Sequence, residues 1–253
     1  MLHEHANAGR SRFIALAILL GLLSMPWTVP TQAGDRARTG VLPAGSIVGG
    51  RTVGEWTADW WAWALSFPVD MNPLLDETGE FGPLGNIGGP VFFVVTSGGG
   101  RVSRAYKVPA GQYLLVPIYT YVWTYDDTCA NEACARQIAD GAVFGVTRMS
   151  AKIDGVPVRN LFSHYEATSV FSVSVPDDGL YGPGQGGTFD AVSSGYWLML
   201  EPLEPGCHRL HFDAVAPGDD PTQLIHFTTT LQLNVEPRRK RPHGHGGDDD
   251  CDD

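Results

Sequence analysis

The sequence has only three lysines, no second apolar segment long enough to cross a membrane, and no G-x-S-x-G serine-nucleophile motif. Few lysines and a net charge of −11 argue against nucleic-acid binding, because phosphate backbones are bound by basic surfaces. With one apolar run only, at the start of the chain, we expect no membrane span in the mature protein. The remainder is acidic and rich in glycine, proline and aromatic residues, which is typical of an extracellular β protein.

Residues 1–33 have the pattern of a signal peptide. Arg10 and Arg12 form a basic start, and an apolar run, FIALAILLGLL, follows at residues 13–23. The small residue Ala33 suits cleavage directly after it. The run is shorter than the ~20 residues that span a bilayer, although a retained N-terminal anchor stays open as the alternative. We therefore expect an exported protein, periplasmic or extracellular.

The four cysteines favour disulfides over a metal site. Cys129 and Cys134 flank only four residues, and in an oxidising compartment they are expected to form a local disulfide. Cys207 and Cys251 are candidates for a second bridge, a pairing that the sequence leaves open. Metal binding by Cys129 and Cys134 is the rival interpretation, but no second pair completes a tetrahedral zinc site. We predict no cofactor, with calcium left open because the chain is acidic.

Four tryptophans within eight residues mark the most distinctive segment: Trp56, Trp60, Trp61 and Trp63. Thr52 and Glu55 have the spacing of a capping box, and Pro68 ends the segment, so we predict a helix over 53–67. Both faces of this helix are apolar apart from a narrow polar stripe. The helix is therefore expected to seal the core rather than bind a ligand.

The rest of the chain predicts one β domain. About ten short strands separated by Gly/Pro turns, with a second short helix at 131–140, predict a mainly β fold, an antiparallel β-sandwich of immunoglobulin-like or jelly-roll-like type. We assign residues 51–235 to this single domain and 34–50 to a flexible lead-in. Residues 236–253 carry a basic and then an acidic cluster and predict a disordered tail.

Two stretches resemble known proteins. Residues 195–212, GYWLMLEPLEPGCHRLHF, resemble the L-x-P-G-x-[YH] corner of immunoglobulin-like and fibronectin-like sandwiches, in which the ring after the turn, here His208, bonds back across the corner. That resemblance implies a fold and no activity. The ordered set GEWTADWWAWALSFPVDMNPLLD, GPVFFVV, RAYKVPAGQYLLVPI and GYWLML resembles a group of uncharacterised exported bacterial proteins. Members carry a cysteine where this chain has Tyr106, which implies that a disulfide typical of the group is absent.

An aromatic row after the tryptophan helix is the candidate binding surface. Tyr119, Tyr121, Trp123 and Tyr125 alternate along one predicted strand, which places the four rings on one side. Sugar rings stack on such rows, so we expect a polysaccharide or another envelope component as the partner. The alternative is that this side of the strand is core. Our leading hypothesis is an exported, non-catalytic β-sandwich protein that binds through a surface.

Two other functions stay open. A carbohydrate-active hydrolase or lyase needs two carboxyl groups flanking one bond, at ~5–9.5 Å in glycosidases. Glu55, Asp59, Glu166 and Asp190 are candidates for such a pair, and the sequence alone brings no two of them together. The third hypothesis is a purely structural envelope or extracellular protein.

Overall fold

Two five-stranded sheets face each other across a shared apolar core. The computed structural model describes residues 39–84, 86, 89–218, 220, 222–237 and 251, so the predicted signal peptide and nearly all of the predicted tail lie outside the described residues. In chain order the elements are β1 (Ile47–Val48), β2 (Arg51–Thr52), α1 (Val53–Leu65), β3 (Val91–Phe93), β4 (Gly100–Pro109), β5 (Tyr113–Thr124), α2 (Glu132–Phe144), β6 (Arg148–Ile153), β7 (Val156–Pro157), β8 (Tyr165–Ala167), β9 (Phe171–Val175), β10 (Gly187–Leu200), β11 (Gly206–Pro217) and β12 (Leu224–Glu236).

The predicted β-sandwich is confirmed, with one difference in strand direction. Sheet 1 has the order β3-β5-β10-β8, with β9 also paired to β10, and sheet 2 has the order β4-β12-β11-β6-β7. Most pairs are antiparallel, but β3 runs parallel to β5 and β4 runs parallel to β12. The short turn between β4 and β5 joins the two sheets, so these consecutive strands do not pair with each other. Each finds a partner that is distant in sequence instead.

The centre of sheet 1 is buried on both faces. Every residue of β10 from 191 to 200 is buried. Leu198 and Leu200 pack into the core between the sheets, whereas Trp197 and Met199 pack beneath α1 on the outer face. A strand covered on both sides needs apolar residues at consecutive positions, which explains the GYWLML run.

Helix α1 is the predicted tryptophan helix, and its indoles hold the outer layer together. The capping box is present: Glu55 N donates to Thr52 Oγ1 (3.2 Å), and Thr52 N donates to Glu55 Oε2 (2.7 Å). Indole N–H groups donate to three separate segments: Trp56 to Val48 O (2.9 Å), Trp60 to Val94 O (2.8 Å) and Trp63 to Leu84 O (2.6 Å). The helix therefore covers sheet 1 and also holds three other segments of the chain in place, at Val48, Val94 and Leu84.

Residues 39–50, the described part of the predicted lead-in, pack against the sandwich. Val41 and Leu42 are both 7% exposed, and Val41 forms a β-bridge with Leu200. Leu42 N donates to Met199 O (2.8 Å), and β1 pairs with β2. Burial of these apolar side chains against β10 stabilises a segment whose composition gives no periodic signal.

The corner at His208 has the cross-corner bond expected from the sequence. One ring nitrogen, Nε2, lies 2.8 Å from Glu204 O, and Nδ1 lies 2.7 Å from the Asp154 carboxylate. Asp154 has a left-handed backbone conformation (φ 49°) and is followed by Gly155 (φ 78°), as a two-residue hairpin turn requires. This contact ties the β10–β11 corner to the neighbouring hairpin of sheet 2.

Both disulfides are present: Cys129–Cys134 and Cys207–Cys251. Cys134 lies in the first turn of α2, which Asn131 caps by accepting from Cys134 N (3.1 Å). Paired cysteines are typical of proteins in oxidising compartments. Within the described residues, no helix combines the length and apolar character needed to cross a bilayer.

We predict that the two disulfides differ in their contribution to stability. Loop-closure entropy in the unfolded chain gives about 4 kcal/mol for the 44-residue separation of Cys207 and Cys251 and about 2 kcal/mol for the 5-residue separation of Cys129 and Cys134. Cys207→Ser with Cys251→Ser is therefore expected to lower the free energy of unfolding more than Cys129→Ser with Cys134→Ser. Urea unfolding of the two double variants measures this, and equal losses would contradict it.

Candidate functional site

A one-residue β-bulge in β5 decides which way the aromatic row faces. Tyr119 pairs with Tyr196, but the next pair along β10 is Trp197 with Pro117, which leaves Ile118 as the extra residue. Before the bulge, even-numbered residues of β5 face sheet 2. After it, odd-numbered residues do, because the side-chain period is two. Pro117, which lacks an N–H, is accommodated at this irregularity.

The four predicted rings therefore differ in exposure and do not form one exposed row. Tyr119 is half-buried and packs edge-to-face on Phe227 of sheet 2, with ring centroids 5.1 Å apart. Trp123 and Tyr125 pack under α2 beside the Cys129–Cys134 disulfide. Tyr121 is the exposed member of the row, at 37%. Of the four predicted ligand-binding rings, Tyr119 and Tyr121 lie in one common groove.

These two tyrosines lie in a groove of about 660 Å³, which is the candidate functional site. That volume is within the range of small-molecule sites. The groove lies where the two sheets and both helices meet, and its wall is formed by Trp60, Trp61, Leu74, Leu75, Thr96, Ser97, Gly98, Pro117, Ile118, Tyr119, Thr120, Tyr121, Gly141, Ala142, Gly145, Leu180, Pro217, Gly218, Ile225 and Phe227. We refer to this set of residues as the groove.

Buried Arg104 positions one wall of the groove. It is 4% exposed, and its guanidinium donates to three backbone carbonyls: Asp76 O (2.6 Å), Thr96 O (3.1 Å) and Leu74 O (3.2 Å). Two of these carbonyls belong to groove residues. The Arg104 side chain, from β4, thus holds the loop around residue 75 against the segment that follows β3, at residue 96.

Asp76 and Asn72 complete the framework of that loop. Asn72 Nδ2 donates to Ala64 O (2.9 Å) in α1, and its Oδ1 accepts from Leu74 N (2.9 Å). Asp76 accepts from Phe81 N (2.8 Å) and Thr78 N (2.8 Å). Partial burial opposes ionisation of Asp76, but these hydrogen bonds outweigh it and lower the pKa of the carboxyl group. The N-P-L-L-D segment is thus a scaffold for the groove wall.

The groove contains few free hydrogen-bonding groups. Thr96 Oγ1 donates to Pro117 O (3.0 Å), Thr120 Oγ1 donates to Ser194 O (3.1 Å), and Ser97 Oγ donates to Gly99 O (2.7 Å). The indole nitrogen of Trp61 is shielded from solvent and has no acceptor among the described residues, unlike those of Trp56, Trp60 and Trp63. The aliphatic hydroxyl protons of the groove wall are therefore already used within the protein, and the phenols of Tyr119 and Tyr121 are its other hydroxyl donors.

The groove is also uncharged: among the described residues, its wall contains no Asp, Glu, Lys, Arg or His. Burial, and secondarily the neighbouring Tyr121, raises the pKa of the Tyr119 phenol, so this ring stays neutral at physiological pH. The phenol of Tyr181, beside Tyr121, also has its pKa raised by burial. The site thus presents aromatic and aliphatic surface without formal charge.

The carboxylates singled out from the sequence lie outside the groove and serve structural roles. Glu55 caps α1, and Asp59 forms an ion pair with Arg51. Glu166 accepts from Gly45 N (3.0 Å), and burial raises the pKa of its carboxyl group despite that bond. Asp190 accepts from Ser172 Oγ (3.3 Å) in the β9–β10 pair. None of these contacts joins two candidate acids at one site.

The described residues contain no cluster of three or more His, Cys, Asp or Glu side chains arranged to hold a metal ion. Two aspartates from adjacent acidic pairs, Asp126 and Asp220, organise turns. Asp126 Oδ1 accepts from Cys129 N (2.8 Å), and Asp220 Oδ1 accepts from Thr222 N (2.9 Å). These are the side-chain-to-backbone bonds that organise turns.

Several groove residues are not evident as site residues from the sequence. Gly141 reads as the end of the second helix, but α2 continues to Phe144, and Gly141 forms part of the groove wall. Ile225 and Phe227 read as core positions of the last strand. Leu75 reads as part of an irregular loop. The exposure of two of them, 52% for Leu75 and 41% for Ile225, depends on how the sheets end and is not encoded locally.

Comparison with known proteins gives no relative for this fold or site: no protein-family profile matches the chain, and no significant match is found among curated proteins or solved structures.

Proposed function

We propose that this chain is an exported, non-catalytic β-sandwich protein that binds a neutral ligand in the groove. The observation that carries the proposal is the groove itself, about 660 Å³ and lined by aromatic and aliphatic side chains without charge. Surfaces of this kind in soluble proteins are usually covered by a ligand or partner. Two disulfides support residence in an oxidising compartment.

The chemistry of the groove wall supports binding rather than catalysis. Glycoside hydrolysis needs two carboxyl groups beside the scissile bond, and general acid–base catalysis needs a titrating group within hydrogen-bond reach. The described wall has no carboxyl group; its titratable side chains are Tyr119 and Tyr121, and burial raises the pKa of the Tyr119 phenol still further above neutrality. The candidate catalytic carboxylates have other partners. Glu55 caps α1, Asp59 pairs with Arg51, and Glu166 accepts a hydrogen bond from a backbone N–H group. The hydrolase or lyase hypothesis therefore has less support than binding.

Polysaccharide is the ligand class suggested by the aromatic row, and Tyr121 is the ring in that row that a sugar could reach. A purely structural envelope role is the remaining alternative. It gives no reason for an apolar groove of this size that is open to solvent, because large exposed apolar surfaces usually mark interaction sites. The groove thus favours a binding protein over a scaffold.

The proposal is tested by filling the groove. A Cβ at Gly141 meets no atom within 4 Å, and replacing a helix-interior glycine favours the helix, so Gly141→Phe is expected to fold and to occupy the groove. Binding is measured to a glycan array and to N-phenyl-1-naphthylamine, an uncharged dye whose emission rises in apolar surroundings. We expect at least one of these probes to bind, and Gly141→Phe to weaken that binding at least tenfold.

Gln137→Phe is the matched control. Gln137 is exposed on the same helix and does not line the groove, so the same ring is added without filling the site. Binding within twofold of the parent protein is expected for this variant. If neither probe binds, or if both variants bind as the parent does, the groove is not a ligand site.

A further inference from the structure

We infer that the ligand of the groove is a neutral, predominantly hydrocarbon group, such as an acyl or isoprenoid chain or a fused-ring apolar molecule, rather than a sugar. This inference rests on the proposed function and specifies its ligand class. It depends on three properties of the groove wall: its hydrogen-bonding capacity, its charge and the distribution of its apolar side chains.

The first property is the shortage of available donors. A sugar ring carries several hydroxyl groups, and each needs a partner when it leaves water, since an unpaired buried polar group costs about 1–3 kcal/mol. Thr96, Thr120 and Ser97 already donate their hydroxyl protons to protein carbonyls. The phenols of Tyr119 and Tyr121 are the remaining hydroxyl donors of the described wall, two for the several hydroxyl groups of each sugar ring. A hydrocarbon has no hydroxyl groups, so it enters this site without the free-energy cost of burying unpaired polar groups.

The second property is the absence of charge in the described wall. A buried carboxylate or ammonium group needs a counter-charge or several hydrogen bonds, and neither is provided here. The protein's net charge of −11 further disfavours an anionic ligand. The part of the ligand that occupies the groove is therefore uncharged.

The third property is that apolar side chains come from every structural layer that borders the groove. Leu74 and Leu75 come from the loop fixed by Arg104, Ile118 from sheet 1, Leu180 from the β9–β10 loop, and Ile225 from sheet 2. Leu75 and Ile225 are 52% and 41% exposed. A hydrocarbon chain between them would remove apolar surface from water on two opposite walls, at about 25 cal/mol per Å².

The experiment is a displacement assay on the purified, disulfide-bonded protein with N-phenyl-1-naphthylamine in the groove. Three competitors are compared: decan-1-ol, sodium decanoate and cellohexaose. Decan-1-ol is expected to displace the dye, sodium decanoate to need at least a tenfold higher concentration, and cellohexaose to displace none. Displacement by cellohexaose at concentrations equal to or below those of decan-1-ol would overturn the hydrocarbon assignment while leaving the groove as a binding site.

Two adjacent aspartate substitutions locate the binding. Ile225→Asp places a charge in the groove and is expected to weaken decan-1-ol binding at least tenfold. Leu224→Asp is the control, because Leu224 is 55% exposed and lies outside the groove wall. It should bind within twofold of the parent. Equal binding by both variants, with both folded by circular dichroism, would place the hydrocarbon elsewhere and overturn the inference. Failure of all three competitors and of the dye would instead count against the proposed function.

Discussion

Trp60→Ala is expected to lower the free energy of unfolding by about 3–5 kcal/mol, the cost of truncating a fully buried aromatic side chain. Trp60 is 1% exposed, lies edge-on to Trp197 with centroids 5.2 Å apart, and donates its indole N–H to Val94 O. The variant loses the ring's apolar burial, leaves a cavity between α1 and sheet 1, and deprives Val94 O of its donor. Urea unfolding monitored by circular dichroism measures the change.

Two companion variants separate the causes of this loss. Trp60→Phe keeps an aromatic ring but removes the N–H group, so a smaller loss is expected, in which about 1 kcal/mol comes from the hydrogen bond. Trp56→Ala truncates a half-buried indole on the same helix and should cost less than Trp60→Ala. A loss below about 1 kcal/mol for Trp60→Ala would show that the helix does not seal the sandwich.

Arg104→Met is expected to destabilise the protein by about 3–5 kcal/mol. Each hydrogen bond from a charged donor contributes about 1.5–3 kcal/mol, and the variant loses three at once, while the apolar methionine recovers part of the loss. The carbonyls of Leu74, Asp76 and Thr96 are left without their donor. Because Leu74 and Thr96 belong to the groove, binding of N-phenyl-1-naphthylamine should weaken as well.

Arg101→Met provides the control for this substitution on the same strand. Arg101 is exposed at the start of β4, and such surface changes usually alter stability by less than about 0.5 kcal/mol. Dye binding should be unaffected. Equal unfolding midpoints for the two methionine variants would mean that the guanidinium of Arg104 does not hold the loop.

The secondary structure follows from local chemistry at many positions. The capping box of Thr52 and Glu55, the hairpin at Asp154 and Gly155 and the alternation of the last strand each predict their element from neighbouring residues alone. The sandwich follows because many short strands must bury one face each. A local sequence pattern predicts an element where the residues that stabilise it lie within a few positions of one another.

The site itself was not predictable by the same means. Strict alternation along β5 would put Tyr119 and Leu114 on opposite faces, but the bulge at Ile118 reverses the pattern within one strand. In β10, the polar residues Ser193 and Ser194 are buried. Their polar atoms bond to Thr168, Arg136 and Asp140, which are distant in sequence. The burial of these serines depends on residues that are distant in the sequence, which a local sequence pattern does not include.

The order of strands in sheet 2 has a consequence for when the chain can fold. Strand β12, the last to be synthesised, lies between β4 and β11, and its parallel pairing with β4 spans ten residue pairs. A nascent chain that has not yet reached Leu224 therefore has no partner for β4, and sheet 2 cannot be completed during translation. Pairings this distant also slow folding, because the loop-closure entropy must be overcome first. Closure of the sandwich is thus expected to follow the synthesis of β12, an order compatible with the proposed export.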